Sequence, residues 1–320
     1  MYCPGLYCGR NVLEDGNFSD CGPCPRGFRR NDSNFICEPC LDSPKLYDWL
    51  YLGFIVLTVL VLHWFFIDMV SMRQSFSKNV LTLHITALIE VFVSCLLALL
   101  SVNPVGIFNI HSCNCQSLAD WYTLLHNPRP NYEDKLYCTQ EAVYPLYTLV
   151  FIFYVLNLST MLLLRPWVCK KFLPKQGKMS IYAAMYFIPV LVLIHAIIGG
   201  LIYYSFPYLI VVVSVISCAA HFAVRMEQTI PALIRSTLTQ PRNVVIVLGH
   251  WCIHAYGIIS LTELVDPLVH SLLLILVPLP AVFYILTASL LVFNFQVYRS
   301  QQVLFIAQKP IQTKGKSNSG

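Results

Sequence analysis

The sequence predicts an all-α membrane protein, in which seven transmembrane helices follow a small disulfide-rich N-terminal segment. Hydrophobic residues make up 57% of the chain and charged residues only 12%, and that charged share is about half of what a soluble domain carries. The first 49 residues are instead polar and rich in cysteine. Because no signal peptide precedes the first apolar run, we expect the first span to direct the chain to the membrane.

Seven apolar runs have the length of about twenty residues that a helix needs to cross a bilayer. The runs are 50–70, 80–101, 143–164, 181–203, 206–224, 244–261 and 271–295. We separate the fourth run from the fifth at "YYSFPY", residues 203–208, because a proline follows aromatic residues that are typical of the interface. A single helix of more than forty residues would also be too long for the bilayer. The expected domains are therefore an N-terminal segment (1–49), a transmembrane domain (50–295) and a tail (296–320).

Lysine and arginine in the short connections predict the orientation, because they collect on the cytosolic side. With the N-terminus outside the cytosol, fourteen of the 21 cations are cytosolic: Arg73, Lys78, Arg165, Lys170, Lys171, Lys175, Lys178, Arg225, Arg235, Arg242, Arg299, Lys309, Lys314 and Lys316. A basic loop (165–180) and the basic tail then lie in the cytosol. The N-terminal segment and a long loop (102–142) lie on the opposite side.

Nine of the 13 cysteines fall in the two non-cytosolic parts: Cys3, Cys8, Cys21, Cys24, Cys37, Cys40, Cys113, Cys115 and Cys138. Two Cys-x-x-Cys pairs, at 21/24 and 37/40, have a spacing that could hold zinc, but a non-cytosolic compartment favours disulfides. The six cysteines of the N-terminal segment allow fifteen different sets of disulfides, so the connectivity stays open. The long loop (102–142) has three cysteines, so one of them is unpaired unless it bonds to the N-terminal segment or to another chain. The sequons at Asn17 and Asn31 are glycosylation candidates on the same side.

Ionisable residues inside the spans are candidates for function. In "HWCIH", His250 and His254 share one helical face, as a metal site requires. With Glu90 they suggest an alternative function, an intramembrane metal-dependent hydrolase that uses a metal-activated water. Because no third ligand follows from the pattern, interhelical hydrogen bonds explain the histidines better, and we expect neither an enzyme nor a bound metal. We interpret Asp68 and Arg165, near the cytosolic span ends, as snorkelling residues or a surface ion pair.

Eleven stretches combine polar and aromatic positions in a way that generic spans do not: "CPRGFR", "SPKLYDWLYLGF", "LHWFFID", "HITALIE", "DWYTLLHNPRPNY", "EAVYPLYTLVFIFY", "LLLRPW", "SIYAAMYFIPVL", "GGLIYYSFPYLI", "HWCIHAYGIISL" and "LVPLPAVFY". From about Cys21 to Tyr284, the chain thereby resembles the JNK-associated membrane protein family, seven-span proteins of the endoplasmic reticulum.

The resemblance implies a membrane scaffold in the degradation of misfolded proteins. Its partners would be proteasome subunits, a membrane-anchored RING ubiquitin ligase and a JNK-type stress kinase. It implies an endoplasmic reticulum location, with the N-terminus lumenal and the C-terminus cytosolic, and it supplies no catalytic residues. The cytosolic cations are compatible with docking of acidic partners and anionic lipid. We expect no cofactor and no nucleic-acid partner.

The tail contains a candidate docking site for such a kinase. Proline-directed kinases phosphorylate Ser-Pro and Thr-Pro dipeptides, and the predicted cytosolic segments contain neither. The single Ser-Pro, at Ser43, lies in the non-cytosolic N-terminal segment. We therefore expect the protein to be a docking partner of the kinase more than its substrate. Docking peptides place a cation before two apolar anchors, so that the cation meets an acidic patch and the anchors fill a groove. Arg299, Leu304 and Ile306 have this form. The same stretch is equally compatible with the last turns of a helix that leaves span seven.

Overall fold

A computed structural model of the chain describes residues 3, 5–71, 78–126, 138–172, 177–223 and 229–287. The chain is mostly helical, and six helices among these residues are long and apolar enough to cross a membrane. The predicted class, an all-α membrane protein with a disulfide-rich N-terminal segment, is thereby confirmed. The chain divides into two compact units, Met1–Phe206 and Pro207–Gly320, and each is described by itself.

The membrane-crossing helices of the first unit are, in chain order, α1 (Leu46–Ser71), α2 (Lys78–Leu100), α3 (Leu146–Phe172) and α4 (Gly177–Ala223), which continues into the second unit. In an apolar environment a helix satisfies its own backbone hydrogen bonds, which is why uninterrupted apolar runs take this form. A buried cluster that includes Ile67, Leu83 and Ala87 packs α1 against α2. The apolar sequence and this packing together define a helical bundle.

The break between the fourth and fifth spans lies at Ile198, not at the predicted residues 203–208. The chain stays helical through residues 203–208. Over its 47 residues, α4 consists of two helices that meet at a kink at Ile198, where φ is −120° and ψ is 20°. Of the aromatic residues in this stretch, Tyr203 and Phe206 are buried and pack against Tyr47 and Tyr51 of α1, whereas Tyr204 and Tyr208 are exposed. Among the described residues six helices are long and apolar enough to span a membrane, with the kinked α4 counted once, so the predicted number of seven is not confirmed.

The proposed basic loop at 165–180 is also wrong as a loop. Helix α3 continues to Phe172 and α4 begins at Gly177, so only residues 173–176 lie outside the described helices. The positive charges of Lys170 and Lys171 lie in the last turn of α3, where they interact favourably with the negative end of the helix dipole. This charge placement stabilises the last turn of α3.

The N-terminal segment folds into two small antiparallel ribbons. Strand β1 (Cys8–Gly9) pairs with β2 (Gly22–Pro23), and β3 (Phe28–Arg30) pairs with β4 (Cys37–Pro39). Segments this small cannot bury enough apolar surface to hold together and depend on disulfides. We call residues 3–45, together with the described residues of 101–145, the disulfide module.

Four disulfides hold the disulfide module together. They join Cys3 to Cys21, Cys8 to Cys138, Cys24 to Cys37 and Cys40 to Cys113. Two of them connect the N-terminal segment to the loop after α2, so the two parts form one body. Each Cys-x-x-Cys pair is divided between different disulfides, and the four thiols therefore do not form one zinc shell. Of the nine cysteines predicted on the non-cytosolic side, Cys115 is the one outside these disulfides.

The second unit contains three further helices, α5 (Ile230–Thr239), α6 (Pro241–Thr262) and α7 (Pro267–Ile275), and residues 279–287 are again helical. Asp266 caps the N-terminus of α7, since its carboxylate accepts from the backbone N–H groups of Leu268 and Val269. Five buried side chains of the second unit form one cluster: Cys218, Phe222, Leu233, Val247 and Ala281. The cluster draws on α4, α5, α6 and the final helical residues, so these elements share one core.

Candidate functional site

A buried polar network joins α1, α2 and α3. It consists of His63, Glu90, Asn157 and Arg165, of which none is more than 1% exposed. The Nε of Arg165 donates to Oε1 of Glu90 at 3.2 Å, and its Nη2 pairs with the second carboxylate oxygen. Nη1 lies 3.2 Å from Nδ1 of His63, and Nε2 of His63 lies 3.0 Å from Oδ1 of Asn157.

One protonation state of His63 is consistent with its contacts to Arg165 and Asn157. Arg165 has only donors, so Nδ1 of His63 must accept from it. The proton of the neutral imidazole is then on Nε2, where it donates to Asn157. A guanidinium and a carboxylate within an apolar bundle are stable only when they neutralise each other, and the network therefore fixes how the three helices pack.

Short hydroxyl contacts reinforce the interface between α2 and α3. The Ser94 hydroxyl donates to the backbone carbonyl of Glu90 and lies 2.7 Å from the Thr160 hydroxyl. Hydrogen bonds of this kind between helices supplement van der Waals packing inside a membrane, where the hydrophobic effect does not draw helices together.

The interpretation of Arg165 as a snorkelling residue is wrong. Because α3 extends to Phe172, Arg165 lies about two turns before the helix end, and its side chain is fully buried. Asp68 instead contacts His84, with 3.2 Å between Oδ1 and Nε2. The sequence did carry a signal for the true pair, since Glu90 and Arg165 are opposite charges in spans that are neighbours in the bundle.

A second cluster, of aromatic and polar side chains, lies where the disulfide module meets the helices of the first unit. The hydroxyl of Tyr203 donates to Oδ1 of buried Asp48 at 2.6 Å. His195 uses both ring nitrogens, since Nδ1 lies 3.3 Å from the Tyr51 hydroxyl and Nε2 lies 3.2 Å from the Tyr147 carbonyl. The ring of Trp121 packs beside Tyr51 and Tyr203. The cluster attaches the module firmly to the bundle.

Gly200 permits this attachment. A Cβ atom at this position would lie 2.7 Å from Cβ of Trp121, which is too close for any side chain. The short 3₁₀ helix that carries Trp121, Leu118–Trp121, can therefore approach the α4 backbone only where a glycine is present.

The charges inside the disulfide module are paired with one another. The buried carboxylate of Asp120 accepts from the Tyr7 hydroxyl at 3.1 Å and from the backbone of Gln116 at 2.8 Å, and it faces Arg29 at 3.4 Å. Burial, with Asp120 beside it, raises the pKa of Tyr7 well above its ordinary value, so this hydroxyl stays protonated. Arg29 also donates to two backbone carbonyls of the loop, at 3.0 and 2.8 Å. Arg29 thereby neutralises the buried Asp120 carboxylate and joins the N-terminal segment to the loop.

The modification candidates differ in exposure. Asn17 is exposed and its side chain donates to Asp15, whereas Asn31 is half-buried and accepts from the Ser33 hydroxyl at 2.6 Å. The thiol of Cys115 lies in a half-buried position, and burial raises its pKa. The kinase-docking candidates Arg299, Leu304 and Ile306 lie outside the described residues.

The candidate hydrolase group does not form in the described structure. Both carboxylate oxygens of Glu90 are engaged by Arg165, and Nδ1 of His254 lies 2.9 Å from the Ser214 hydroxyl. Within the described ranges, no three His, Cys, Asp or Glu side chains are grouped so that they could hold a metal ion. His250 and His254 thus receive no acidic third partner, and the interhelical interpretation of His254 fits the observed contact.

These features define a class: a multispan α-helical membrane protein in which a disulfide module is attached to a bundle that is fixed by a buried ion pair. Within this class, the chain belongs to the JNK1/MAPK8-associated membrane protein family, whose family model matches residues 3–291.

Three relatives place the chain firmly within the family. The JNK1/MAPK8-associated membrane proteins of Mus musculus and Homo sapiens are each 47% identical over 297 residues, which is 90% of this chain and 93% of the relative. The Caenorhabditis elegans homolog is 30% identical over 299 residues, with 88% of this chain and 91% of the relative covered. No solved structure matches the chain.

Proposed function

We propose that the protein is an adaptor of the endoplasmic reticulum membrane. It binds a JNK-type stress kinase and recruits proteasome subunits and a membrane-anchored RING ubiquitin ligase to misfolded proteins. The observation that carries this proposal is the 47% identity, over 90% of the chain, to proteins named for their association with JNK1/MAPK8. The role in degradation extends the family resemblance.

The internal contacts of the first unit support an adaptor rather than a catalyst. Catalytic groups are typically held ready to contact a substrate, whereas Glu90, Arg165 and His63 contact one another at full burial. The ubiquitin ligase activity must then come from the partner. A RING domain holds zinc with cysteine thiolates, and eight cysteines of this chain are in disulfides instead.

The disulfides also support the proposed orientation. Disulfides persist in the lumen of the endoplasmic reticulum and are reduced in the cytosol. The disulfide module therefore belongs in the lumen, as do its candidate glycosylation sites Asn17 and Asn31. The basic tail, 296–320, belongs in the cytosol, where a kinase can reach it.

The kinase proposal is tested with the purified full-length protein and a recombinant JNK-type kinase. We expect the kinase to co-purify with the wild-type protein. The double substitution Leu304→Ala with Ile306→Ala should abolish co-purification, because it removes the two apolar anchors that would fill a groove of the kinase. The matched control is Gln301→Ala with Gln302→Ala in the same stretch, which should bind like the wild type.

The possible failures are distinguishable. If the wild-type protein does not bind the kinase, the proposed kinase adaptor role is wrong. If the double variant binds as well as the wild type, the role stands but the docking residues are wrong.

A further inference from the structure

Helix α5 presents an apolar face that its own unit does not cover. Ile230, Ile234 and Leu238 are four residues apart and so share one side of the helix. Ile234 is 43% exposed and Leu238 is 72% exposed. Leu233, which points in a different direction, is fully buried with Val247 and the rest of its cluster. The helix is therefore apolar on both its packed and its outer face.

The position of α5 is fixed by the structure. Gln240 alone separates it from α6. Buried Asn243, in the first turn of α6, donates from its side-chain amide to the Ser236 carbonyl at 2.9 Å and to the Gln240 side chain at 2.6 Å. Together with the packing of Leu233, these bonds hold α5 against α6. The outward direction of Ile234 and Leu238 is thus determined by the fold.

The length of α6 places this corner at a membrane boundary. Helix α6 has 22 residues, which at 1.5 Å per residue span about 33 Å, close to the roughly 30 Å of bilayer hydrocarbon. A helix of this length that crosses the bilayer has its first residue, Pro241, at the boundary between hydrocarbon and headgroups. Because a single residue joins them, α5 lies at the same depth.

Within α5 and α6 the charged residues are Arg235 and Arg242, and Glu227 lies three residues before α5 in the sequence. Arg235 and Arg242 are exposed, and the sequence has no acidic residue from 228 to 262. A short helix with an exposed apolar face and flanking arginines is typical of a segment that lies in the interfacial plane of a membrane containing anionic lipid.

We propose that α5 is an in-plane helix that binds anionic lipid. Ile234 and Leu238 enter the acyl region of one leaflet, and Arg235 and Arg242 bind the phosphate groups of its headgroups. The proposal concerns the bilayer alone and does not depend on the kinase or on any degradation partner.

Photo-crosslinking in vesicles tests the apolar half of the proposal. The full-length protein carries a diazirine amino acid at position 238 or, as the matched control, at Thr239, which is also exposed. It is reconstituted in phosphatidylcholine and phosphatidylserine at a 3:1 ratio. We expect lipid adducts at 238 to exceed those at 239 about fivefold. Equal yields, or adducts at 238 to a second copy of the protein, would overturn the in-plane placement. Each probe variant must first melt at the wild-type temperature.

The charged half is tested by the lipid class that is captured. One arginine near an anionic surface favours anionic lipid about fivefold, so the adducts at 238 should be enriched in phosphatidylserine over its bulk share. Arg235→Gln with Arg242→Gln should return the adducts to the bulk 3:1 ratio, while Lys178→Gln on α4 should leave the enrichment unchanged. A wild-type ratio equal to the bulk ratio would overturn the assignment of anionic lipid.

Discussion

Removing Glu90 from the buried network leaves the Arg165 guanidinium unpaired at a fully buried position. Arg165 then loses both of its bonds to the carboxylate and cannot lose its proton. The loss of one partner of a buried pair costs about 3–5 kcal/mol, and we expect this loss for Glu90→Gln. Arg165→Gln should cost less, because an unpaired carboxylate can become neutral by taking up a proton.

The double variant Glu90→Gln with Arg165→Gln leaves no buried charge. It should therefore be more stable than Glu90→Gln alone, with a coupling energy of at least about 2 kcal/mol in the double-mutant cycle. The assay is thermal unfolding of the purified protein in detergent micelles. Since 1 kcal/mol shifts the melting temperature of a large domain by about 2–4 °C, Glu90→Gln should melt roughly 10 °C below the wild type.

The matched control is Asp68→Asn, which removes the charge of an exposed carboxylate that contacts half-buried His84. Exposed pairs contribute about 0–1 kcal/mol, so its melting temperature should shift by no more than about 3 °C. Two results would contradict the role of the buried pair in fixing the bundle. One is a melting-temperature shift for Glu90→Gln as small as that for Asp68→Asn. The other is a double variant whose loss of stability equals the sum of the losses of the two single variants.

Three further predictions concern the cysteines, the histidines and the sequons. With free thiols blocked before reduction, Cys115 should be labelled while the eight disulfide cysteines are not. Its labelling should speed up as the pH rises toward its raised pKa; rapid labelling at neutral pH would contradict the burial. His254→Ala should cost about 1 kcal/mol of stability, as should Ser214→Ala, without additivity in the double variant. His250→Ala should cost less, and stoichiometric metal in the wild type would instead revive the hydrolase alternative. Asn17→Gln should remove one glycan-dependent gel shift, and an unchanged shift would show that this exposed sequon is not used.

The sequence predicts the membrane helices well where a local property determines them. Apolar runs placed α2 and α6 to within about three residues of their observed ends, because backbone satisfaction in an apolar solvent depends on the run itself. The cysteine distribution likewise predicted disulfides, since it follows the redox compartment.

The misses have non-local causes. A hydropathy window adds residues along the chain and cannot show that Arg165 meets Glu90, 75 residues away. The aromatic residues at 203–208 suggested a break between two spans, but the chain stays helical there and Tyr203 and Phe206 are buried against α1. Disulfide partners up to 130 residues apart depend on how the loop folds back onto the N-terminal segment, which no spacing rule contains.

Helix α5 was missed for a different reason. Its ten residues are too short for a window of about twenty, and its arginine and polar residues resemble those of a connecting loop. Only its packing through Leu233 and the bonds from Asn243 identify it as an ordered element.

Proximity labelling most directly tests the central claim, that this chain is an adaptor for degradation. A labelling enzyme is fused to the C-terminus of the full-length protein in cells, and the control carries it at the N-terminus. We predict that the C-terminal fusion enriches proteasome subunits and a membrane-anchored RING ligase, while the N-terminal fusion labels lumenal proteins. Absence of both partners from the C-terminal sample, or their equal labelling by the two fusions, would contradict the adaptor function.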